Sequence, residues 1–344
     1  MGVPVMVMGL GEIGRAVARA ALSTPELELV AAVDLAPERV GRSLAEVLHA
    51  AAGEVTVTNV AEEAFRAVHA ALREAGEAGG GHEEGRGVVL HATGSRLEQV
   101  VGEIEDALRA GFSVVSTCEE LACPWVRHPK LADHIDRLAQ KRRATVVGVG
   151  VNPGFVLDRL LATLGQATGK IDRVHGVRVV DASRRREALQ RKIGAGLAES
   201  DFNRGVEEGF VGHVGLMESA ALAAMGVGHS MDEVDEEILP VFAEEPLKAL
   251  WGTIKPGDIS GVRQIARAFD EGREVARLEL TIALGAKDPR DEITIHGEPP
   301  LSLKIPGGIP GDPATAWTVV HAAQVIAQGA EPGLITALDL PAGR

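Results

Sequence analysis

The sequence predicts an α/β protein in which a doubly wound parallel sheet is followed by a second domain of the α+β type. Through the first 150 residues, short apolar runs alternate with amphipathic helical patterns, as expected for a parallel sheet covered on both faces. The first apolar run leads directly into a glycine-rich turn. Longer runs of strand character appear only in the second half of the chain.

The first domain is predicted to span residues 1–150. Its segment 74–87, which contains six glycines and no aliphatic residue larger than alanine, is predicted to be a flexible surface loop between a helix and a strand. Elsewhere in this domain strands and helices alternate. Strands are predicted at 4–8, 27–33, 55–58, 88–92, 113–117 and 145–149, and helices at 13–22, 60–75, 96–110 and 128–142.

The turn after the first strand reads GLGEIG at residues 9–14. Gly9 allows a tight turn, Gly11 lets the backbone approach a pyrophosphate, and Gly14 lets helix and strand pack closely. Free amide groups and the helix dipole at the helix start then hold the phosphates. Asp34 ends the next strand, twenty residues after Gly14, where a carboxylate accepts hydrogen bonds from ribose hydroxyls. This context predicts a Rossmann-type domain that binds a nicotinamide dinucleotide.

NAD is the expected cofactor, and NADP is the second candidate. Asp34 would repel a 2′-phosphate, whereas Arg39 is near enough to accept one. In the segment 92–95, Gly94 would permit a close approach of the backbone to the cofactor ribose. The expected cofactor contacts are Gly9, Gly11, Glu12, Ile13, Gly14, Asp34, Arg39, Ala92, Thr93, Gly94 and Cys118.

Two acids, Glu119 and Glu120, follow the predicted strand 113–117 with one residue between. Ligands of doubly wound sheets bind beyond the carboxyl ends of the strands, so this pair is the candidate for catalytic chemistry. The alternative is that one acid caps a helix and the other is a surface charge. Because consecutive residues of an extended segment point to opposite sides, only one of the two is expected to face the cleft.

Cys118 lies next to the acid pair and has two interpretations. It is either the nucleophile of a semialdehyde dehydrogenase or a small buried residue. Cys118 and Cys123 form no CxxC redox motif, and two cysteines cannot supply a zinc quartet. No metal site is therefore expected.

Eight short stretches together carry a resemblance to a known family. They are GLGEIG at 9–14, HATGS at 91–95, STCEEL at 116–121 followed by Pro124, GVGVNPGF at 148–155, QRKIG at 190–194, GHVG at 212–215, HGEPPL at 296–301 and IPGGIPGD at 305–312. On these stretches the chain resembles the 2,4-diaminopentanoate dehydrogenases and the related native amine dehydrogenases over essentially its whole length. Its amino-terminal domain is similar to that of dihydrodipicolinate reductase, although the paired-histidine and lysine motif of that enzyme is missing.

The resemblance implies NAD(P)-dependent oxidative deamination of an amine, or the reverse reductive amination of a ketone by ammonia. It also implies that a glutamate of the CEE segment handles the amine, as general base or acid, and Glu120 is slightly preferred over Glu119. The expected partners are therefore a small amine or ketone and ammonia. Two alternatives stay open: another oxidoreductase, such as a semialdehyde dehydrogenase using Cys118, and a non-catalytic NAD-binding regulator.

The second domain is predicted to span residues 151–312 and to serve substrate binding and dimerisation. Asp312 and Pro313 form a helix start, so residues 313–344 are expected to contain a helix that returns to the first domain. Strands are predicted at 174–180, 275–283 and 292–296, and helices at 157–165, 211–225, 231–239 and 314–328.

Four residues are candidates for substrate binding. The side chain of Asn152, in a turn, can bond to the substrate or to the cofactor carboxamide. Arg178 lies inside a predicted strand and would either bind a substrate carboxylate or form an ion pair within its domain. His213, close to two glycines, and His296, before a glycine, are expected in the cleft, with a structural role as the alternative for each.

Charge and composition restrict the partners. The net charge of −14 argues against nucleic acid, whose phosphates need a basic face, and against anionic membrane surfaces. No apolar stretch reaches the length of about 18 residues that a membrane span needs, and two cysteines fit a reducing compartment. We therefore expect a cytoplasmic protein, and a homodimer because closed symmetric dimers are the commonest assembly.

Overall fold

The computed structural model describes residues 2–79 and 87–342. The chain forms two compact units: Met1–Phe155 together with Pro310–Arg344, and Val156–Ile309. The strands are β1 (Val3–Met8), β2 (Leu27–Val33), β3 (Val57–Thr58), β4 (Val88–His91), β5 (Ser113–Ser116), β6 (Thr145–Gly148), β7 (Ile171–Asp181), β8 (Glu233–Phe242), β9 (Leu247–Ala249), β10 (Gly252–Ile254), β11 (Ile259–Asp270), β12 (Arg273–Ala283), β13 (Arg290–Gly297), β14 (Leu301–Pro306) and β15 (Gly333–Ile335).

The α-helices connect these strands, and two short 3₁₀-helices, Glu119–Ala122 and Pro124–Val126, follow β5. The helices are α1 (Glu12–Leu22), α2 (Leu44–Leu48), α3 (Ala61–Gly79), α4 (Leu97–Arg109), α5 (Pro129–Arg142), α6 (Arg159–Gly165), α7 (Glu187–Lys192), α8 (Glu199–Glu207), α9 (Leu216–Gly226) and α10 (Gly311–Ala327).

The first unit is built on a parallel sheet with the strand order β15-β6-β5-β4-β1-β2-β3. Helices α1 and α10 pack on one face, and helices α3, α4 and α5 pack on the other. Because strands buried on both faces consist of continuous apolar runs, the sequence pattern predicts these strands directly. The predicted doubly wound sheet is confirmed. The chain order reverses between β1 and β4, and in such sheets ligands bind at the carboxyl ends beside this reversal.

Several details of the first unit differ from the expectations. The predicted strand 55–58 is reduced to β3, and the seventh strand, β15, comes from the carboxyl-terminal residues. Helix α3 continues to Gly79, so the first part of the predicted loop 74–87 is helical. The middle of that loop, residues 80–86, lies outside the described residues.

The second unit contains a mixed sheet with the order β14-β13-β7-β12-β11-β8, so the predicted second domain with its own sheet is present. Strand β7 is parallel to β12 and antiparallel to β13. Helix α9 packs against β8, β11 and β12, so one face of the sheet is covered.

The predicted helix 231–239 is wrong, because these residues form most of the edge strand β8. Its closely spaced acids resemble an exposed helix face, but charged side chains and proline are also typical of edge strands. Asp235 and Glu237 pair with Arg267 of the neighbouring β11, and this long-range pairing overrides the local pattern. The predicted helix 211–225 begins only at Leu216, after Gly215 with φ 104°.

Candidate active site

The glycine turn between β1 and α1 has the geometry that a dinucleotide requires. A Cβ atom on Gly14 would lie 1.8 Å from the carbonyl oxygen of Gly9, and a Cβ on Gly9 would lie 2.5 Å from that of Ala92. Glycine is therefore obligatory at both positions. A Cβ on Gly11 would meet nothing within 4 Å, and Gly11, the N-cap residue of α1, has no side chain to cap the amide groups of the first turn. The turn is thus closed on the protein side and open where a pyrophosphate would approach.

The remaining residues of the turn contribute through the backbone. Helix α1 begins at Glu12, whose amide belongs to the first turn of the helix. Ile13 packs its side chain against the core below α1. Both expected contacts would therefore come from amide groups, which is how helix starts bind anions.

Asp34 and Arg39 lie together at the end of β2. The carboxylate of Asp34 accepts hydrogen bonds from the amides of Leu10, at 2.6 Å, and Ala36, at 2.7 Å. Arg39 donates to the same carboxylate at 3.0 Å. Burial opposes ionisation, but these donors hold the pKa of Asp34 below its usual value. An ionised carboxylate is thus fixed beside the glycine turn, where ribose hydroxyls are expected.

The two acids after β5 occupy different environments. Glu120 is only 3% exposed, and its Oε2 accepts hydrogen bonds from the Leu97 amide at 2.8 Å and His128 Nε2 at 3.0 Å. Arg96 Nη1 lies 3.5 Å from its Oε1. Glu120 therefore anchors the 3₁₀-helix to the start of α4, whereas Glu119 is half-buried. This geometry does not support the slight preference for Glu120, because its carboxylate serves a structural contact.

The thiol of Cys118 is not exposed to a ligand. Its side chain belongs to the core between the sheet and helices α3, α4 and α5, and it is 1% exposed. Burial, with the nearby Glu119 and Glu120 charges, raises the pKa of the Cys118 thiol to about 12. A protonated, buried thiol is a poor nucleophile, and any cofactor contact at this position is limited to the backbone.

Residues 92–94, which are expected to contact the cofactor, lie in the connection between β4 and α4. Ala92 continues the β-ladder through its amide, which donates to Met8 at 2.8 Å. A Cβ on Gly94 would lie 3.0 Å from a methyl group of Val100, so this backbone lies close against α4. The Thr93 hydroxyl donates to Glu103 of α4. The candidate site residues predicted from the sequence did not include Glu103, His91 or Ser116. For His91 a signal was present, because a histidine at the end of the apolar run VVLH is a polar residue at the carboxyl end of a buried strand.

Asn152 belongs to the first unit and lies in the turn after β6. Its side chain is 7% exposed. The adjacent amide of Val151 donates to Thr315 Oγ1 at 3.1 Å, so the carboxyl-terminal residues help to hold this turn. The structure thus places Asn152 beyond the end of a parallel strand, as the sequence predicted.

Arg178 of the second unit is a structural residue rather than a substrate ligand. It is 5% exposed, and its Nη1 donates to both carboxylate oxygens of Asp291 at 2.7 Å. Its Nη2 donates to the carbonyl of Ile309 at 2.6 Å. Burial lowers the pKa of Arg178, and Asp291 opposes that effect. The ion pair within the domain, which was the alternative interpretation, is what the structure shows.

His213 and His296 are not brought together within the second unit. The backbone of His213 exchanges two hydrogen bonds with the side chain of Gln264 in β11. His296 is in β13, which is separated from β11 by β7 and β12. It shares a cavity with Arg173 and His175 on the sheet face opposite the buried Ile293 and Ile295. Burial and the nearby Arg173 and His175 lower the pKa of His296. A role in substrate binding therefore stays a prediction for each histidine.

No group of three or more His, Cys, Asp or Glu side chains is placed to hold a metal ion within residues 2–79 and 87–342. In the same described ranges, none of the helices combines the length and apolar character needed to cross a bilayer.

The fold and the glycine turn define a Rossmann-type protein with a dinucleotide-binding turn. The model of the 2,4-diaminopentanoate dehydrogenase C-terminal domain matches residues 155–344, more than half of the chain. The chain therefore belongs to the 2,4-diaminopentanoate dehydrogenase family, and the resemblance seen in the sequence is confirmed.

Individual relatives agree with this assignment. The chain is 27% identical to the 2,4-diaminopentanoate dehydrogenase of Acetoanaerobium sticklandii, over 99% of this chain and 94% of that protein. The structure of an amine dehydrogenase from Mycobacterium smegmatis superimposes with a TM-score of 0.82 at 22% identity, covering 99% of this chain and 96% of that one. Dihydrodipicolinate reductase from Paenisporosarcina sp. TG-14 gives a TM-score of 0.53 at 14% identity, with 98% and 99% covered. The two structures support the fold.

Proposed function

We propose that this protein is an NAD(P)-dependent amine dehydrogenase, which deaminates a small amine oxidatively and aminates the corresponding ketone in reverse. The observation that carries the proposal is the edge of the parallel sheet, where the glycine turn, the ionised Asp34 and an acid pair all follow strand ends. Family membership and the 27% identical 2,4-diaminopentanoate dehydrogenase support the same chemistry.

Within the acid pair, we assign the amine to Glu119 and a positioning role to Glu120. A group that exchanges protons with a substrate needs access to it, and Glu119 is the more exposed of the two. Glu120 is engaged by the Leu97 amide and by His128. It fixes the 3₁₀-helix Glu119–Ala122, and thereby the direction in which Glu119 leaves the backbone.

The reaction requires a neutral amine, because a C–H bond next to an ammonium group is a poor hydride donor. A free alkylammonium has a pKa near that of lysine, about 10.4, so deprotonation in the site is needed at neutral pH. The bound nicotinamide supplies the hydride acceptor. Glu119 holds the ammonium by a charge-assisted hydrogen bond and takes its proton. Once this proton has passed to solvent, the carboxylate is again a base and activates the water that hydrolyses the imine to the ketone and ammonia. In reverse, the protonated carboxyl gives its proton to the carbinolamine so that water leaves.

The competing enzyme class is disfavoured by the environment of Cys118. A semialdehyde dehydrogenase needs an accessible thiolate, whereas this thiol is buried in the core with a raised pKa. A non-catalytic regulator would need the dinucleotide site alone, and it would give no role to an acid pair at the end of β5.

We propose a preference for NAD over NADP. The Asp34 carboxylate would repel a 2′-phosphate, and Arg39 is engaged by that carboxylate at 3.0 Å rather than held open for a phosphate. An Asp34→Ala variant should raise the ratio of kcat/KM for NADP to that for NAD by about tenfold, the effect of about 1.4 kcal/mol. An Arg39→Ala control should not raise this ratio. Equal efficiencies of the wild type with both cofactors would contradict the preference.

We also propose a cytoplasmic homodimer formed through the second unit. Both cysteines are free thiols, as expected in a reducing compartment. Half-buried charged residues along β12 and β13 form ion pairs within the chain, for example Glu279 with Arg277 and Arg290 with Glu292, so this face carries no net unpaired charge from them that would oppose a closed two-fold dimer, the commonest assembly. Light scattering at micromolar concentration should give the mass of two chains, and the mass of one chain would contradict the dimer.

The activity is tested by NADH consumption in the direction of amination. Purified protein, NADH and ammonia are mixed with 2-amino-4-oxopentanoate or with simple ketones, and absorbance at the NADH maximum is followed. Consumption that depends on both ammonia and the carbonyl compound is expected. Carbonyl-dependent consumption without ammonia would favour another oxidoreductase, and NADH binding without turnover of any substrate would favour a regulator.

A further inference from the structure

A hydrogen-bond network centred on the buried His91 connects the ends of β4 and β5, just before Glu119 in the chain. His91 is the last residue of β4, pairs with Ser116 at the end of β5, and is 1% exposed. Its Nδ1 lies 2.8 Å from Ser116 Oγ, and its Nε2 lies 2.8 Å from Glu103 Oε2 and from Thr93 Oγ1. Ser116 Oγ also accepts the Cys118 amide at 3.0 Å.

The hydrogen-bond partners determine where the protons are. The Glu103 carboxylate only accepts, so the hydrogen of the ring must be on His91 Nε2. Ser116 Oγ accepts the Cys118 N–H and has one hydrogen to donate, for which Nδ1 of a neutral imidazole is the acceptor. An imidazolium would donate to Ser116 from Nδ1, and the fully buried hydroxyl would lose this acceptor. The neutral Nε2–H tautomer therefore satisfies the whole network.

Glu103 is the acidic end of this network. Burial acts to raise the pKa of Glu103, but the hydrogen bonds from His91 and Thr93 outweigh it and lower the pKa below its usual value. Glu103 is thus an ionised anchor on α4, and His91 connects that anchor to the end of β5.

The network joins two loops that the proposed reaction uses. Through Thr93 it contacts the β4–α4 connection, where the cofactor is expected. Through Ser116 and the Cys118 amide it holds the residue that immediately precedes Glu119. A misplacement of about 1 Å in a catalytic group can lower a rate by about 10²-fold, so the hydrogen bonds that fix this turn matter for turnover.

We propose that His91, held between Glu103 and Ser116, is a positioning residue that fixes the Ser116–Cys118 turn and thereby aims Glu119 at the amine. The proposal rests on the proposed function, because it needs Glu119 to act on a substrate. It assigns no proton transfer to His91, which does not contact the reacting groups.

A matched pair of serines in β5 tests this role. Ser113 begins the strand, is also buried, and its Oγ accepts the Thr145 amide at 3.0 Å. Ser113→Ala and Ser116→Ala each remove one buried hydroxyl that accepts an amide, so we expect similar losses of thermal stability. Ser116→Ala should lower kcat for ammonia-dependent NADH oxidation at least about tenfold, with unchanged NADH affinity, whereas Ser113→Ala should change kcat less than about twofold.

Two substitutions of His91 separate the two sides of the network. The amide oxygen of Asn can take the place of Nδ1 and accept the Ser116 hydroxyl, whereas the amide nitrogen of Gln can take the place of Nε2 and donate to Glu103. His91→Asn should therefore keep at least about fivefold more kcat than His91→Gln, at equal KM for NADH. Equal kcat for the two variants, or for the two serine variants, would overturn the proposal.

The outcomes distinguish this inference from the proposed function. A wild-type protein without ammonia-dependent turnover would contradict the function itself. An active wild type in which Ser116→Ala behaves like Ser113→Ala would contradict only the role of His91. If Ser116→Ala does not fold, the comparison of His91→Asn with His91→Gln decides.

Discussion

Polar side chains inside the two sheets have different partners, depending on where along a strand they lie. In the first unit, His91 and Asp34 lie at or just after the carboxyl ends of parallel strands and hold loops in place. In the second unit, Arg178 and Asp291 are directly opposed within β7 and β13 and neutralise each other. A charged residue inside a strand has a cross-strand neighbour as partner, whereas one at a strand end can serve a ligand-binding loop. Position along the strand is therefore a better guide to function than polarity.

The largest effect on stability is expected from breaking the buried ion pair. Arg178→Met leaves Asp291 buried without its cation, and loss of one partner of a buried pair costs about 3–5 kcal/mol. The free energy of unfolding in urea should fall by that amount. The Arg178→Met/Asp291→Leu double variant should recover much of the loss. If Arg178→Met is as stable as the wild type, or if it loses only substrate affinity, Arg178 is a substrate ligand and the structural role is wrong.

A smaller effect is expected at Glu279 of β12. Burial acts to raise its pKa, but Arg263 and Arg277 donate to it, and the pKa is lowered from 4.5 to about 2. Because the folded pKa is depressed, the stabilisation is complete above the unfolded pKa of 4.5 and is lost as the pH falls toward 2. Glu279→Gln should reduce the free energy of unfolding at pH 7 by about 2 kcal/mol, less than the full shift implies because the group is partly solvated.

The control for Glu279 is Glu292→Gln in β13, whose carboxylate pairs with Arg290 at 2.9 Å and is more exposed. An exposed pair contributes about 0–1 kcal/mol. The difference between wild type and Glu279→Gln should shrink between pH 4.5 and 3, measured by urea unfolding. A difference that does not change with pH would show that packing, not charge, is responsible.

Local patterns predicted the parallel sheet and its glycine turn, because both depend on residues close in sequence. The same reasoning failed where distant residues decide. Strand β8 is extended because it pairs with β11, and Arg178 meets Asp291 across 113 positions of the chain. No local signal brings residues 333–335 beside β6 as the seventh strand.

The acid pair Glu119 and Glu120 shows a second limit of prediction from local sequence. An extended segment would turn Glu119 and Glu120 to opposite sides, but these residues form a 3₁₀-helix, in which neighbouring side chains are about a third of a turn apart. The sequence therefore indicated that the two acids differ, and it could not show which one is anchored. That depends on Leu97 and His128, which lie on other elements.

The smallest effect is expected at Cys118. Because its thiol is buried and its pKa is raised to about 12, Cys118→Ala should change kcat by less than about twofold, as for a residue outside the reaction. Native protein should react with iodoacetamide much more slowly than the same protein in urea. Rapid alkylation of the native protein with loss of turnover would instead support thiol chemistry.

The comparison of Glu119→Gln with Glu120→Gln tests the central claim most directly. Ammonia-dependent NADH oxidation is measured for both variants, together with NADH affinity and thermal unfolding. Glu119→Gln should keep its stability and NADH affinity but lose at least about 10² in kcat, the contribution of a general acid or base. Glu120→Gln should lose mainly stability, about 1–3 kcal/mol, because buried donors lose their charged acceptor. An active Glu119→Gln, beside a stable but inactive Glu120→Gln, would contradict the account.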